Sequence, residues 1–378
     1  MKRLLVAALA FALAPSAFAV RHVAIGADAF NRAYPLSYAK NLAFSPYSFE
    51  IDCVLVAEAL PTIPKADITE RMGIYVDFAS AYRALIAEVQ TQTNGYACLA
   101  ARGFCVPDIT TAGAADRQHS AREYGCEVIR RDAPDGAEAW FRAMMEGRME
   151  NFRLTHRGVH TDKYSFYDLF ALDAAFRDPF PTDNTRDILF HLASGTNVVP
   201  VTAMADVRVA ETWERRAYTL LKIPLKGDAS FYAILPHEKQ DLASARAELT
   251  SERAMALLAP SSRYEGEAPS RGPCAIVLPR LDVSSCLDMT GLFRHFRVPL
   301  TPLVHVAGNA RQGEYLQYAR FRLAENGAYE TPLKEKPLDE VVPLTPNVKK
   351  LIFNRPFIFF VYHEKAGVIL LVGQFTGL

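Results

Sequence analysis

The chain has 378 residues, of which 50% are hydrophobic and 22% are charged, which is typical of one large or two ordinary globular domains. This composition excludes a disordered chain, a collagen-like repeat and a coiled coil. Basic and acidic residues number 42 each, so the net charge is zero, and we expect neither a nucleic-acid-binding nor a membrane-surface protein.

The first residues, Met1–Ala19, have the pattern of a signal peptide. A basic start precedes the apolar run Leu4–Ala14, which ends at Pro15, and Ala17–Ala19 fits a small-x-small cleavage site. The run is too short for a membrane-spanning helix, and no later stretch reaches that length. We therefore predict secretion and one mature domain over 20–378. The alternative is a buried N-terminal helix.

The six cysteines are isolated in the sequence and show no CxxC spacing. Nothing in their spacing indicates a zinc site, and most are expected to be small buried hydrophobic residues. An even number in an oxidising compartment permits disulfides without specifying which cysteines pair. The chain has no Asn-x-Ser/Thr sequon, so we expect no N-glycosylation.

Helices dominate the first half of the predicted secondary structure. Ser45 precedes Pro46 and is a suitable N-cap, and the helix that follows is apolar enough to be buried. The predicted elements are helices Val23–Tyr38, Pro46–Leu60, Ala79–Val89, Ala114–Tyr124 and Ala137–Phe152, with one strand over Tyr96–Val106.

Strands dominate the second half. The last two strands are almost wholly apolar and flank a four-residue turn, which indicates a hairpin buried on both faces. The predicted strands are Tyr164–Ala175, Asn197–Met204, Tyr218–Leu225, Ser230–Leu235, Ala275–Val283, Glu314–Ala324, Phe357–His363 and Val368–Phe375, with a helix over Met289–Phe296.

The segment Glu325–Lys350 differs from the rest of the chain. It holds four prolines and many charges and has no periodicity, so it cannot be a central strand. A loop this long inside a compact domain is usually functional or disordered.

Four motifs resemble, in order, those of the serpin family: FSPYS at Phe44–Ser48, LKIPLKG at Leu221–Gly227, LPRL at Leu278–Leu281 and FNRPF at Phe353–Phe357. The resemblance covers essentially the whole mature chain. It implies a single α+β domain with three β-sheets, eight or nine helices and an exposed reactive-centre loop over 325–350.

The resemblance assigns a set of shutter residues beneath the main sheet. Ser45 and Ser48 match the two serines of the family's shutter. Asp168 stands where the family has asparagine, and Gln317 where it has histidine. The resemblance implies that these residues help to control sheet opening in inhibitory members, so the changed set argues against that mechanism here.

The resemblance also assigns residues at the top of the sheet, the breach. Arg280 matches the family's basic residue, Glu325 matches its acidic partner, and Phe176 replaces its tryptophan. We predict an Arg280–Glu325 ion pair, worth about 1 kcal/mol if it is partly exposed.

Inhibitory serpins insert the N-terminal half of the cleaved loop into the sheet as a new central strand. Within the hinge, Glu325 and Gly327 match the family and Ala328 is suitably small, but Glu330 and Pro332 do not fit. With a period of two, the core-facing residues would be Ala328, Glu330, Pro332, Lys334 and Lys336. A β-bulge would instead turn Tyr329, Glu335 and Pro337 inward. Buried unpaired charges and a mid-sheet proline both oppose insertion.

The position of a cleavage site in the loop depends on the end from which it is counted. By the family's usual spacing, a count back from Phe353 gives Leu344–Thr345, which Pro346 follows. A count forward from Glu325 by the same spacing gives Val341–Val342. The loop length therefore departs from the family's usual one.

Two functional hypotheses remain. The sequence has no catalytic, metal-binding or cofactor-binding motif, so we expect no enzyme, cofactor or metal. The favoured hypothesis is a secreted, monomeric, non-inhibitory serpin that binds an extracellular protein or small ligand. The alternative is an inhibitor of an extracellular serine or cysteine protease. Heparin activation is not expected, since Ala79–Gly95 holds a single arginine, Arg83.

Overall fold

A computed structural model gives the fold. It describes residues 15–33, 40–58, 78–91, 96–106, 122–130, 136–146, 163–193, 197–248, 251–258, 268–298, 311–327 and 348–377. Of the predicted elements, the helix Ala114–Tyr124 lies largely outside these residues.

Helices pack around two β-sheets. The α-helices of the described residues are α1 (Pro15–Ala33), α2 (Pro46–Glu58), α3 (Phe78–Thr91), α4 (Ala137–Met145), α5 (Leu242–Glu248), α6 (Ser251–Leu258) and α7 (Thr290–His295). Within the described ranges these are fewer than the eight or nine that the resemblance implies. Helix α1 begins before the predicted cleavage site, so cleavage after Ala19 would remove its first residues.

The smaller sheet has five strands in the order β10-β11-β4-β2-β3. Its strands are β2 (Tyr96–Val106), β3 (Cys126–Arg130), β4 (Lys163–Ala175), β10 (Leu281–Asp288) and β11 (Arg311–Ala324). Strands β4 and β11 run parallel to each other.

The larger sheet has nine strands, in the order β1-β14-β13-β8-β7-β6-β9-β12 with β5 paired to β6. Its strands are β1 (Leu42–Phe44), β5 (Arg186–His191), β6 (Val198–Glu214), β7 (Tyr218–Pro224), β8 (Ala229–Pro236), β9 (Ser270–Pro279), β12 (Lys349–Ile352), β13 (Phe357–His363) and β14 (Val368–Phe375).

The expectation of three separate sheets is wrong for the described residues, which form two. Strand β6 is 17 residues long. Its first part pairs with β5, its middle part with β9 and its last four residues with β7. One continuous strand therefore joins what would otherwise be two sheets.

The single predicted strand Ala275–Val283 is also wrong. The structure has two strands here, which belong to different sheets and are separated by Arg280. The Arg280 N–H donates to Thr202 O at 2.9 Å. Periodicity does not reveal this division, because the residues on both sides of Arg280 are apolar.

The C-terminal hairpin is confirmed. Strands β13 and β14 are buried along their whole length, as their apolar sequence predicts. Strand β14 lies between β13 and the short N-terminal strand β1, and Gln374 Nε2 donates to Lys40 O at 2.7 Å. Helix α2 packs beneath this hairpin and is buried throughout its described side chains.

Candidate functional site

Strand β11 leads directly into the hinge at Glu325, and its parallel neighbour β4 lies beside it within the five-stranded sheet, so we expect a new central strand to enter between the two. The two strands are in register from Arg311↔Lys163 to Ala324↔Ala175, with one irregularity between Gln312 and Tyr315. No third strand lies between them among the described residues, and the sheet is therefore closed here.

The shutter residues predicted from the sequence lie together beneath this pair. Ser48 Oγ donates to Asp168 Oδ1 at 2.6 Å, and Gln317 Nε2 donates to Asp168 Oδ2 at 2.7 Å. Gln317 also bonds both backbone groups of Ser45, accepting from its N–H at 2.8 Å and donating to its carbonyl at 3.1 Å. The Asp168–Gln317 bond joins β4 directly to β11, so it would break if the sheet opened.

Ser45 also caps helix α2, as predicted. The Ser48 N–H donates to Ser45 Oγ at 3.1 Å, and Ser45 Oγ donates to Leu370 O at 2.7 Å. This arrangement fixes the start of the helix against β14 and places Ser48 below β4.

A buried ion cluster, Arg102 with Asp52 and Asp168, continues the shutter. The three side chains are each 1% exposed. Arg102 Nε donates to Asp52 Oδ1, and its Nη2 donates to Ser48 Oγ at 2.6 Å and lies 4.0 Å from Asp168 Oδ1. Two carboxylates thus share one guanidinium, which leaves one excess negative charge when both are ionised.

Sequence reasoning did not identify Arg102 or Asp52. Arg102 stands alone in an otherwise apolar strand, and Asp52 stands within an apolar helix. The two residues are 50 positions apart, so only the folded chain reveals that they pair. The signal available in the sequence was the presence of a charge inside each apolar run.

Burial raises the pKa of Asp52 well above its ordinary value of 3.8, and the neighbouring charge of Asp168 raises it further. Burial alone would lower the pKa of Arg102, but the charges of Asp52 and Asp168 raise it overall. Arg102 is therefore the fixed charge of the cluster, and Asp52 is its titrating member.

The pH dependence of stability is expected to report this cluster. Because folding raises the pKa of Asp52, this residue contributes to the free energy of unfolding below pH 3.8, where the contribution is fully present. The contribution is lost as the pH rises through the folded-state pKa. The free energy of unfolding of the parent, minus that of Asp52→Asn, should fall with rising pH above 3.8, by at most about 1.4 kcal/mol per pH unit. Urea denaturation at several pH values measures this difference. A difference independent of pH between 4 and 8 would contradict the assignment.

Helix α4 covers the outer face of the closed pair. The Phe141 ring meets the Tyr318 ring of β11 edge-on at 4.8 Å. Trp140 lies over Gly103 of β2, where a Cβ would come within 2.6 Å of the indole. The absence of a side chain at position 103 thus allows the helix to lie against the sheet.

Two partly exposed ion pairs join neighbouring strands on the same outer face. Arg322 of β11 lies 3.6 Å from Asp173 of β4, its direct register partner. Arg320 makes two hydrogen bonds, of 2.8 and 2.6 Å, with Asp282 of β10. The Arg322–Asp173 pair spans the β4–β11 gap, although an exposed pair contributes little to stability.

The predicted Arg280–Glu325 ion pair is present at the end of the five-stranded sheet where β11 runs into the loop. Arg280 Nε lies 3.0 Å from both carboxylate oxygens, and its Nη2 lies 2.8 Å from Oε1. Thr185 Oγ1 also donates to Glu325. The Arg280 and Glu325 side chains are only 10% and 0% exposed. The value of about 1 kcal/mol expected for an exposed pair is therefore inapplicable, and loss of one partner would cost more.

Phe176, the third breach residue, is fully buried. Its ring meets that of Phe180 edge-on at 4.8 Å, and its backbone forms a bridge with Leu225. The Phe180 N–H donates to Glu325 O at 3.3 Å. The breach residues therefore lie together around the base of the loop.

The two ends of the loop are placed differently. At its start, Gly327 has φ +90°, and a Cβ at this position would lie 3.3 Å from the Cβ of Ala175 in β4, so an alanine here would be strained. At its end, β12 forms parallel pairs with β9. The predicted loop boundary at Lys350 is thus too late, because β12 begins at Lys349, which is ion-paired with Glu214.

The loop itself falls outside the described residues. This applies to Ala328, Glu330 and Pro332 of the hinge and to the cleavage candidates Leu344 and Thr345. Their roles stay predictions.

An apolar cavity lies between α1, α6 and the hairpin strands β13 and β14. It measures about 20 Å³ and is lined in part by Phe30, Leu257 and Ile369. A drug-sized ligand needs roughly 300 Å³ or more. As the molecule stands, this cavity is too small for such a ligand.

Residues 22–377 match the family model described as Serpin (serine protease inhibitor). The chain belongs to the serpin family. The match covers nearly all of the sequence and agrees with the mixed α/β fold. The family's description is that of protease inhibitors.

Curated relatives of this serpin include plasminogen activator inhibitor 1. The protein from Neovison vison is 23% identical over 377 residues, which cover 92% of this chain and 90% of the relative. The protein from Bos taurus is 27% identical over 215 residues, covering 52% of this chain and 49% of the relative. Such low identities are consistent with a divergent member.

Solved structures support the same fold. Native protease nexin-1 with heparin superposes with a TM-score of 0.77 and 16% identity, covering 96% of this chain and all of the other. Human thyroxine-binding globulin, complexed with thyroxine, gives a TM-score of 0.76 and 16% identity, covering 95% of this chain and 98% of the other. The fold thus occurs in proteins with different ligands.

The six cysteines of this serpin all lie in described residues and form no disulfide there; Cys286 is exposed, Cys98 is half-buried and the other four are buried. Within the part of the chain that the structure describes, no helix combines the length and apolar character needed to cross a bilayer.

Proposed function

We propose that this serpin is a secreted, monomeric and non-inhibitory member of the family that binds an extracellular protein. The observation that carries the proposal is the closed β4–β11 pair with a charged shutter beneath it, combined with a loop sequence that is unsuited to enter the gap. Secretion follows from the signal-peptide pattern of Met1–Ala19. The protein has no catalytic role in this proposal.

The first argument concerns the environment that an inserted strand would meet. Every second side chain of β11 faces the buried core: Gln317, Ala319 and Phe321 are all fully buried. A strand between β4 and β11 would place every second side chain of the loop in that core. In one register these would include Glu330, Pro332 and Lys334, and in the other Tyr329, Glu335 and Pro337. Both registers bury charge and place a proline in mid-sheet.

The second argument concerns what opening would break. Separation of β4 from β11 removes the Asp168–Gln317 hydrogen bond, and both side chains are fully buried. The loss is costly, because a buried carboxylate that loses a hydrogen-bond donor has no solvent to replace it. The closed form is therefore held by interactions that a new strand with this sequence would not replace.

The choice of a protein over a small ligand rests on the loop and not on cavity size, because the described residues also form a pocket of about 430 Å³ lined in part by Arg208 and Lys222. The apolar cavity near Phe30, by contrast, holds about 20 Å³ and falls below the roughly 300 Å³ of a ligand pocket. Heparin is not proposed as a partner, since Phe78–Thr91 holds one basic residue, Arg83, which is ion-paired with Glu123. A loop of about 20 residues with mixed charge is suited to contact a protein surface.

A protease panel tests the proposal. We expect no SDS-stable complex with any extracellular serine or cysteine protease. After cleavage in the loop, for instance by trypsin at Lys334 or Lys336, the thermal midpoint should change by less than about 5 °C, since no strand is added to the sheet. An inhibitory serpin run in parallel is the positive control. A covalent complex, or a large rise in the midpoint after cleavage, would overturn the proposal.

The second candidate function is inhibition of an extracellular protease, with cleavage at Leu344–Thr345. It is supported by the family's description and by the similarity to plasminogen activator inhibitor 1. The same panel distinguishes it, since trapping gives the SDS-stable complex. Reversible inhibition would instead show as a loss of protease activity without that complex.

A further inference from the structure

Arg208, in the middle of β6, makes a set of contacts that neither the shutter nor the breach residues explain. Its side chain is 14% exposed. Nε and Nη2 donate to Asp206 Oδ2 at 2.9 and 2.6 Å. Nη1 donates to Asp178 O at 2.8 Å, and Nη2 donates to Pro179 O at 3.1 Å. The planar guanidinium thus binds a carboxylate and two backbone carbonyls at once.

Those two carbonyls belong to residues 177–181, a part of the connection between β4 and β5 that is here named the breach connection. Arg208 also lies over the ring of the next residue, Phe180, with its Cζ 3.9 Å from the ring centroid. Three successive residues of the breach connection are therefore held by one side chain.

The breach connection in turn holds the start of the loop. The Phe180 N–H donates to the carbonyl of Glu325 at 3.3 Å, and the Phe180 ring packs on Phe176. Nearby, the Arg177 N–H donates to Pro224 O at 3.0 Å. Contacts thus run from Arg208 through Phe180 to the backbone of Glu325, two residues before Gly327.

The Glu325 carboxylate is held separately, by Arg280 and Thr185. The hinge therefore has two attachments, one through its side chain and one through its backbone. The backbone attachment is a single hydrogen bond, longer than those that Arg280 makes with the carboxylate, and it depends on the position of Phe180.

We infer that Arg208 is a positioning residue for the hinge of the loop. By fixing the breach connection, it holds the Phe180 amide against the Glu325 carbonyl and restrains residues 325–327. Loss of the guanidinium contacts would release this backbone attachment while leaving Arg280 in place. The inference does not depend on the proposed function, because a binding loop and an inhibitory loop share this hinge.

Hydrogen exchange of the full chain, followed by mass spectrometry, tests the inference. In Arg208→Gln, amides in 177–181 and 325–327 should exchange about tenfold faster or more, whereas those in β13 and β14 should keep their rates. Arg208→Lys, which keeps the charge but loses the fork, should give a smaller increase at the same amides.

Arg320→Gln is the matched control. Arg320 is 16% exposed and also makes two hydrogen bonds with one aspartate, Asp282, but it does not contact the breach connection in any described hydrogen bond. Its variant should leave exchange in 325–327 unchanged. If folded Arg208→Gln and Arg208→Lys both protect residues 325–327 as the parent does, the inference is wrong. Equal acceleration across the whole chain in Arg208→Gln would also overturn it, because that indicates global destabilisation only.

Discussion

Replacement of Arg102 by methionine is expected to lower the free energy of unfolding by about 3–5 kcal/mol. Methionine is similar in length but supplies no charge, so Asp52 and Asp168 would remain as two buried carboxylates without a cation. Arg102 also donates to Ser48 and to Tyr124 O, and those acceptors would lose a donor. Equilibrium denaturation in urea measures the loss.

Arg142→Met is the matched control for this variant. Arg142 pairs with Glu138 one helical turn earlier, but its side chain is 78% exposed, so we expect a change within about 0.5 kcal/mol. Adding Asp52→Asn to Arg102→Met should restore part of the lost stability, because it removes one of the uncompensated charges. A loss below about 1 kcal/mol in Arg102→Met would mean that the cluster is not charged as described.

Replacement of Gly373 by alanine is expected to destabilise the protein by about 3 kcal/mol or more. Gly373 lies in β14, opposite Ala43 on one side and Phe359 on the other. A Cβ there would be 2.5 Å from Phe359 Cζ and closer still to the Leu42 carbonyl oxygen. Since the carbonyl belongs to a paired strand, it cannot move without loss of the β1–β14 hydrogen bonds.

Gly272→Ala provides the control. Gly272 is also in a strand of the nine-stranded sheet, but a Cβ there would meet nothing within 4 Å. Its stability should stay within about 0.5 kcal/mol of the parent. Thermal and urea denaturation of both variants give the comparison. Equal stabilities for the two alanine variants would show that β1 does not pack on β14 as the structure has it.

Local signals in the sequence predict local structure well. Ser45 before Pro46 predicts the start of α2, and the apolar runs predict the buried hairpin of β13 and β14. In each case, the property that determines the element lies within the element itself, as capping or as continuous apolar character.

Features that depend on distant residues were not predictable in this way. Strands β1 and β12 have three and four residues, too few for a periodic pattern, and exist because a distant strand pairs with them. The division at Arg280 depends on which sheet each neighbour joins. These features are set by long-range pairing rather than by propensity.

The candidate site divides in the same way. The resemblance places Ser45, Ser48, Asp168 and Gln317 in one set, and the structure brings these four together. The resemblance gives no indication that Arg102 would neutralise part of the charge of this set. Asp168 stands where the family has asparagine, and its negative charge is compensated by Arg102, which only the fold brings near.

The pairing of β1 with β14 has a consequence for the order in which the chain folds. Lys40 and Gln374, which meet beside this pair, are 334 positions apart. The nine-stranded sheet therefore stays incomplete during synthesis until β14 has left the ribosome, and β1 has no partner strand before then. Because such distant contacts slow folding, the newly made chain spends longer in incomplete states that are prone to aggregation.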